Sequence, residues 1–323
     1  MSRIQLLLAT GIAGVDLALT RTVETFEGEV PGCVLAYYLD GSLADGDSIA
    51  TSDLDLTLVI TSCVEGGDAG DHDKLNEIAA RCQRDAGLEL DIGLLDEREL
   101  ANGLTPMLKY ASRLIHGEDI RDRYPLLAIE DWTRERMNAA YWLMNRVFDR
   151  PAAVHIPLGY PDPDDLFYGY ARRPIRLSDG SFAASTRDLV RVSGWIATAL
   201  VAHRASRYVS RKRDCHREYR YAIGDQWSNL LDDIYERCRT DWGYLIPAGS
   251  EDRRRLRTIC RQMLGFENHF LTIYRDLLLQ QLRERAPRAL WLMERFPLAD
   301  ASISAAFRSA RSRTTISRAT EER

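Results

Sequence analysis

The sequence lacks the features of a membrane protein. Its 323 residues contain no apolar run long enough to span a bilayer. The N-terminal stretch RIQLLLATGIAGVDLALT has some signal-peptide character, but Asp16 interrupts it, Arg3 is the one basic residue before it, and no clear cleavage site follows. We interpret it as an ordinary first helix. An apolar content of 45% and a charged content of 28% are typical of a globular protein, so no membrane partner is expected.

The cysteines are few and scattered. The six lie at positions 33, 63, 82, 215, 238 and 260, with no CxxC pair and no cluster of cysteine and histidine. This spacing argues against a zinc site and against a disulfide scaffold. It predicts reduced thiols and a cytoplasmic protein. The sequence also has no internal repeat of 20–50 residues.

The pattern of apolar residues predicts an α+β fold in two domains and a tail. Residues 1–125 alternate between predicted helices and strands, whereas residues 126–300 are mostly helical in pattern, around a loop rich in proline, glycine and aspartate at 149–181. Residues 301–323 are poor in apolar side chains and are predicted to be disordered. In the first domain the predicted strands are 33–39, 54–60 and 88–95, and the predicted helices are 1–30, 72–87 and 108–115.

Charge is divided unevenly along the chain. The formal net charge is −5, but residues 1–150 carry 14 Lys and Arg against 27 Asp and Glu, and the remainder carries an excess of basic residues. An acidic half that binds metal and a basic half that binds phosphate would both suit a polyphosphate substrate, although two solvated surfaces explain the division equally well.

The stretch GSLADGDSIATSDLDL, residues 41–56, combines a small-residue turn with two carboxylates. Gly41 permits a close approach of the backbone to a ligand, and Ser42 can donate its hydroxyl and its backbone N–H to phosphate oxygens. Asp53 and Asp55 flank one leucine, so they share a face of the predicted strand. Paired carboxylates suit Mg²⁺, which binds through one or two carboxylates together with substrate phosphates.

A third carboxylate follows on the next predicted strand, LELDIGLL. Asp91 and Glu89 share one face of this strand, and the leucines and isoleucine between them share the other. Asp91 is the first choice for completing the site with Asp53 and Asp55, and Glu89 is the alternative. The sequence therefore predicts three catalytic and metal-binding acids.

These residues resemble the nucleotidyltransferase superfamily that includes DNA polymerase β. The shared features are the Gly-Ser turn, the Asp-x-Asp pair and a later acidic residue on a strand. The spacing, and Ser52 directly before Asp53, are most similar to the aminoglycoside adenylyltransferases that modify streptomycin and spectinomycin. The resemblance implies an N-terminal polymerase β-like domain with a mixed sheet, followed by an all-helical domain.

The resemblance also implies the chemistry. A hydroxyl of an acceptor attacks the α-phosphorus of a nucleoside triphosphate, with ATP expected, and pyrophosphate leaves. Two Mg²⁺ ions about 4 Å apart would take part, bound by Asp53, Asp55 and Asp91. Gly41, Ser42 and Ser52 would contact the nucleotide, and Lys212, in the turn SRKRD, would contact its phosphates.

The acceptor is less well defined by the sequence. Where the antibiotic-modifying enzymes have an acidic residue at the start of a helix, this chain has Ser185 and Thr186, and its helical part is longer. A small molecule with a free hydroxyl, such as an aminoglycoside-like antibiotic, is the expected acceptor. The alternative is a toxin–antitoxin type of protein that modifies a protein or tRNA, or a non-catalytic partner in such a system. Apart from tRNA in that alternative, nucleic acid is not an expected partner. Carboxylates beside tyrosines in YPDPDDLFYGY are candidate acceptor contacts, namely Asp162, Asp164 and Asp165.

Overall fold

The computed structural model describes residues 6–61, 69–177 and 179–321, with no description of the side chains of 69–71 and 313–321. The chain forms two compact units. Unit 1 comprises Met1–Ile129 with two later segments, Arg176–Phe182 and Tyr208–Asp214, and the rest of the chain forms unit 2. The sequence did not indicate that these two short segments belong with the first part of the chain.

Unit 1 contains a four-stranded mixed sheet in the order β3-β2-β1-β4. Strand β1 is antiparallel to β2 and to β4, and β2 is parallel to β3. The mixed sheet and the α+β class are as predicted. The strands are β1 (Val34–Asp40), β2 (Leu54–Ile60), β3 (Leu90–Asp96) and β4 (Arg113–Gly117).

Helices cover one face of this sheet. In α1 (Ala13–Glu29), Val15, Leu19 and Phe26 recur at helical spacing and are buried, which is the pattern of a helix that packs one stripe on a core. They pack with β-strand side chains and with α3 (Ala69–Asp85) in one hydrophobic cluster. Between β1 and β2 lies the short helix α2 (Gly41–Asp45).

The other face of the sheet packs on a smaller cluster that includes Ala36, Tyr38 and Leu104. It is closed by a 3₁₀ turn at Glu97–Asn102 and by α4 (Pro106–Tyr110). Both faces of the central strands are therefore buried along most of their length, which leaves the polar side chains near the ends of β1, β2 and β3 as the exceptional positions.

Strand β4 corrects one prediction. The helix predicted over 108–115 ends as α4 at Tyr110, and the following residues join the sheet, with Ala36 of β1 opposite Gly117 and Leu39 opposite Arg113. Pairing with β1 provides the hydrogen bonds and the burial that local helix preference alone does not. The local sequence of a short edge strand does not specify which strand it pairs with.

Unit 2 is mainly helical, as predicted for the later part of the chain. Tyr141 of its first helix, and Phe266 and Tyr274 of its longest helix, are among its largest fully buried side chains. Two short strands form a hairpin, of which β5 (Arg173–Arg176) lies within the loop predicted over 149–181 and β6 (Phe182–Ser185) directly follows it. The helices are α5 (Ile129–Arg146), α6 (Arg187–Ala205), α7 (Cys215–Ala222), α8 (Ser228–Asp233), a π-helical segment Ile234–Asp241, α9 (Ser250–Arg283), α10 (Pro287–Arg295) and α11 (Ala301–Glu321).

A buried ionic group lies inside unit 2. Arg150 donates to Glu267 of α9 at 2.7 Å, and Tyr170 also donates to the Glu267 carboxylate. The side chains of Arg150 and Glu267 are 3% and 0% exposed. Burial raises the pKa of Glu267, while Arg150 and the Tyr170 hydroxyl act in the opposite direction. Because this pair is desolvated, removing one partner would leave a buried charge without compensation.

Two further predictions need correction. Cys33 is disulfide-bonded, so the prediction that the thiols are reduced is wrong at this residue, whereas Cys82, Cys215, Cys238 and Cys260 are free. The remaining cysteine lies in 62–68, outside the described residues. The tail from 301, predicted to be disordered, contains α11, where Ile303 and Ala310 are buried. A few apolar residues on one face are enough to pack this helix.

The part of the chain that the structure describes contains no helix long and apolar enough to cross a membrane.

Candidate functional site

The candidate site begins where β1 passes into α2. Gly41 has a φ of +68°, a left-handed conformation that favours glycine. A Cβ atom added at Gly41 would overlap Oδ2 of Asp55. The Gly-Ser turn therefore lies directly against one of the two predicted catalytic aspartates, and glycine is required both for the backbone angle and for this close approach.

Strand register brings three aspartates into a row. Asp55 of β2 is opposite Asp40 of β1 and also opposite Asp91 of β3. Paired residues on neighbouring strands project from the same face of a sheet, about 5 Å apart. Leu54 and Leu56, on either side of Asp55, are buried on the other face. Asp91 is exposed at the end of this row.

Asp53 and Glu89 lie just before the first paired residues of β2 and β3. The N–H of Leu54 donates to the carbonyl of Glu89 at 2.9 Å. Since side chains alternate along an extended chain, Asp53 projects with Asp55, and Glu89 projects with Asp91. The structure thus places both candidates for the third carboxylate on the strand beside the Asp-x-Asp pair. The roles of all four acids stay predictions.

Asp40 is the residue of this site that the sequence analysis missed. It is 4% exposed, and the Thr57 hydroxyl donates to its Oδ2 at 2.5 Å. Its Oδ1 atom is buried without a hydrogen-bond partner in the described part of the chain. Burial raises the pKa of Asp40 to about 7, and the nearby charges of Asp55 and Asp45 add to that effect, whereas the Thr57 bond and Lys212 oppose it. A carboxylate directly before the Gly-Ser turn was the available signal.

Lys212 lies beside the aspartate row, within unit 1. Its Nζ atom is 3.9 Å from Oδ2 of Asp55. The neighbouring arginines fasten this segment to α2, because Nε of Arg211 donates to the Asp45 carboxylate at 2.7 Å and Nη1 of Arg213 donates to the Asp45 carbonyl at 3.2 Å. The structure therefore brings together the turn, the paired acids and the lysine that the resemblance assigned to phosphate.

The two serines have different environments. Ser42 lies in the first turn of α2, and its hydroxyl has no hydrogen-bond partner among the described residues, so it is able to donate to a ligand. Ser52 is engaged in its own turn, since its hydroxyl accepts from the N–H of Ile49 at 2.9 Å. The α2 helix has five residues, so its free N–H groups matter more than its dipole.

The carboxylates suggested as acceptor contacts lie in unit 2 and support a loop. Asp162 pairs with Arg172, which holds the pKa of Asp162 below its usual value. Oδ2 of Asp165 accepts from the N–H groups of Phe167 and Gly169. Asp164 is exposed. Asp162 and Asp165 thus stabilise the conformation of the loop. Contact of the three acids with an acceptor stays a prediction.

The start of α6 is the place where this sequence lacks the acidic residue expected from the antibiotic-modifying enzymes. Thr186 precedes α6, and its hydroxyl donates to the carbonyl of Tyr244 at 3.0 Å. The first acid of this helix is Asp188, which is 7% exposed and accepts from Arg173 at 2.9 Å. An acid is therefore present two residues later than expected, but it is paired and buried.

The donor set of the site fits a magnesium ion that is bound with its substrate. The described residues contain no group of three or more histidine, cysteine, aspartate or glutamate side chains arranged to hold a metal. Mg²⁺ in phosphate-transfer sites needs one or two carboxylates, with water and phosphate oxygens supplying the rest. Asp53 and Asp55 satisfy that requirement as a pair. Asp91 lies on the strand next to Asp55, but the three aspartates are not arranged as ligands of one metal ion.

Comparisons with known proteins find similarity among the solved structures. No family model matches the chain, and no curated protein matches it. The structure of spectinomycin adenyltransferase AAD(9) from Enterococcus faecialis, solved with ATP and spectinomycin, is similar over 77% of this chain and 98% of that chain, with a TM-score of 0.47 and 10% sequence identity.

Proposed function

We propose that this protein is a metal-dependent nucleotidyltransferase that moves a nucleoside monophosphate, AMP from ATP, onto a hydroxyl of a small molecule. The observation that carries the proposal is the contact of the Gly41 turn with Asp55, beside Lys212. Transfer of a phosphoryl-type group needs hydrogen-bond donors to phosphate oxygens, paired carboxylates and a cation, all in one place. An aminoglycoside-like antibiotic is the proposed class of acceptor, and resistance would be the consequence.

Each residue has a specific task in this mechanism. The N–H groups of the Gly41–Ser42 turn and the Ser42 hydroxyl donate to oxygens of the triphosphate, and the ammonium group of Lys212 offsets their negative charge. Asp53 and Asp55 would hold Mg²⁺, which supplies charge neutralisation at the phosphates when it is bound. These groups hold the α-phosphorus in place for in-line attack.

The acceptor hydroxyl must lose a proton as its oxygen bonds to the α-phosphorus and pyrophosphate departs. Asp91, exposed beside Asp55, is the proposed proton acceptor, with Glu89 as the alternative. Asp91→Asn and Glu89→Gln separate them. The variant that lacks the true base should be less active at every pH, and its rate should no longer fall at low pH through protonation of that base. The other variant should keep this fall in rate at low pH.

The transfer assay tests the reaction directly. Purified protein, Mg²⁺ and ATP labelled at the α-phosphate are incubated with a panel of aminoglycosides and other polyols, and labelled product is separated from ATP. The Asp53→Ala/Asp55→Ala double variant should lose at least ~10²-fold in rate. The control is Glu24→Ala/Asp122→Ala, which removes two exposed carboxylates from the same unit. Transfer that survives loss of Asp53 and Asp55 would refute the catalytic assignment.

The same assay addresses the alternative function. With total protein or tRNA in place of small molecules, labelling that depends on Asp53 and Asp55 would assign the protein to the toxin-type group. Labelling of neither macromolecule, with transfer to a polyol, supports the small-molecule proposal.

A further inference from the structure

A cationic and aromatic surface lies in unit 2, on the loop that carries Asp162, Asp164 and Asp165 and on the helix α9. It consists of Arg253, Arg257 and Arg261 of α9 together with Tyr160 and Tyr168, and we call it the arginine–tyrosine surface. The arginines are four residues apart, so they project from one face of the helix and extend over about 12 Å of its axis. Arg257 and Arg261 are exposed, and Arg253 is half-buried.

The two tyrosines form a stacked pair that is joined to the arginines. The rings of Tyr160 and Tyr168 are 4.3 Å apart and 18° from parallel. The guanidinium of Arg257 lies 4.9 Å from the centre of the Tyr168 ring, and its Nε donates to the Tyr168 hydroxyl at 3.1 Å. Hydrogen bonds from Arg261 and Arg257 hold the pKa of Tyr168 below its usual value. Aromatic rings and positive charge therefore form one continuous patch.

The loop holds Tyr168 in this position by a strained backbone. Tyr168 has a φ of 57°, which is uncommon for a bulky residue. The following Gly169 packs so tightly against Pro161 and Asp162 that a side chain there would collide with them. The carbonyl of Tyr168 accepts from the N–H of Asp162 at 3.1 Å. Strain of this kind is typical of segments that position a side chain for a ligand.

The arginines of this surface have no acidic partners. Among the described residues, Arg253, Arg257 and Arg261 form no ion pair with a carboxylate, whereas the adjacent Arg255 pairs with Asp233. Instead, Arg253 lies over the ring of Phe167 at 5.4 Å. Three guanidiniums in a row on one helix face, with donors that no carboxylate occupies, suit an anionic ligand.

We propose that the arginine–tyrosine surface binds single-stranded nucleic acid. A row of guanidiniums along 12 Å matches several successive phosphates better than one isolated anion. A tyrosine pair beside that row offers a face on which a base can stack, the combination found in proteins that bind single strands without sequence preference. The inference rests on unit 2 alone and is independent of the proposed transfer reaction.

The test measures binding of the full-length protein to a fluorescein-labelled single-stranded RNA of 12 nucleotides by anisotropy, at several salt concentrations. The variant Arg257→Gln/Arg261→Gln should bind about tenfold more weakly, and the slope of log K against log salt should fall by about 1.4, since each phosphate contact on a single strand contributes about 0.7. The control is Arg275→Gln/Arg283→Gln on the same helix, for which affinity and slope should equal those of wild type.

A second variant tests the aromatic part. Tyr160→Ala should lose about tenfold in affinity, with the salt slope unchanged, and Tyr160→Phe should restore it, because stacking needs the ring and not the hydroxyl. Thermal unfolding of every variant checks that each one folds. Undiminished binding by Arg257→Gln/Arg261→Gln, an equal loss in the control, or equally tight binding of a duplex of the same length would overturn the proposal.

Discussion

Gly41 shows how much of the site depends on the absence of a single side chain. Its left-handed φ is shared with Gly46, at +68° in both, but only Gly41 lies against Asp55, since an added Cβ at Gly46 meets nothing within 4 Å. The two glycines of α2 and its C-cap therefore form a matched pair. Backbone strain is common to both, and contact with the aspartate row is specific to Gly41.

We expect Gly46→Ala to cost about 1–2 kcal/mol in stability, the usual cost of a left-handed residue with a side chain, and to leave nucleotide affinity unchanged. Gly41→Ala should cost at least as much and also abolish transfer, because the added Cβ displaces the Asp55 carboxylate. Chemical denaturation measures the loss of stability, nucleotide titration the affinity, and the transfer assay the activity of each variant. If both alanine variants bind nucleotide alike, the close approach of the turn to Asp55 has no role in binding.

Asp119 gives a pH dependence with a defined sign. Its Oδ1 accepts from Nε of Arg121 at 2.8 Å and from the buried Tyr38 hydroxyl at 3.0 Å. The bond to Arg121 holds the pKa of Asp119 at about 2, against 3.8 for a free side chain. The folded state thus binds this proton less readily than the unfolded state, so the stabilisation is complete above pH 4 and is lost as pH falls from about 4 to 2.

Asp119→Asn should therefore lower the free energy of unfolding at pH 7 by about 0.5–1 kcal/mol, a modest value because the Asp119 side chain is 43% exposed. Near pH 2 the difference should disappear. Denaturant unfolding at both pH values measures it, with the exposed neighbour Asp122→Asn as control. A difference that is as large at pH 2 as at pH 7 would rule out the carboxylate charge as its source.

At the scale of elements, the segment Tyr208–Asp214 is the part of unit 1 that is most distant in sequence from the rest of it. It is held by the bond of Arg211 to Asp45, whose side chain is 8% exposed, and by the bond from the Tyr208 hydroxyl to the carbonyl of Leu127 at 2.7 Å. Lys212 reaches Asp55 because its neighbours are fixed to α2.

Arg211→Gln should weaken nucleotide binding about tenfold through the loss of Lys212 positioning, with kcat less affected than KM. The lost charge-assisted bond is worth about 1.5–3 kcal/mol. Arg207→Gln is the control, since Arg207 pairs with Glu218 in unit 2. Isothermal titration with ATP and Mg²⁺ gives the affinities, and equal affinities for the two variants would show that Arg211 does not position Lys212.

At the scale of the whole molecule, one of the two units carries an intrinsic fluorescent probe that the other lacks. The sequence contains six tryptophans, and all of them, at positions 132, 142, 195, 227, 242 and 291, lie in unit 2. Tryptophan fluorescence therefore reports on the folding of unit 2, and far-ultraviolet circular dichroism reports on both units.

Glu267→Gln should lower the free energy of unfolding of unit 2 by about 3–5 kcal/mol, because it leaves the buried Arg150 without its anion. The transition observed by tryptophan fluorescence should move to a much lower denaturant concentration. Glu284→Gln, at the exposed end of the same helix, should shift it by less than 0.5 kcal/mol. A fluorescence transition that is the same in both variants would show that the ionic group contributes nothing to unit 2.

The sequence by itself determined the class of fold and predicted most residues of the candidate site. Gly41 and Ser42 were recognisable because a turn that approaches phosphate needs small residues, and Asp53 and Asp55 because a period of two places alternate side chains on one face. The strands β1 to β3 and the helical later part followed from apolar periodicity. These features are local, so each can be predicted from a short stretch of neighbouring residues.

Only the tertiary structure decided which distant residues join them. Asp40 is part of the row because β1 pairs with β2 in one register, and β4 exists because β1 accepts a second partner. Lys212 is beside Asp55 because Arg211 and Arg213 bind α2. The burial of Glu267 beside Arg150 also depends on where the chain returns. Such contacts join residues that are far apart in sequence, and no local pattern encodes which pairs will meet.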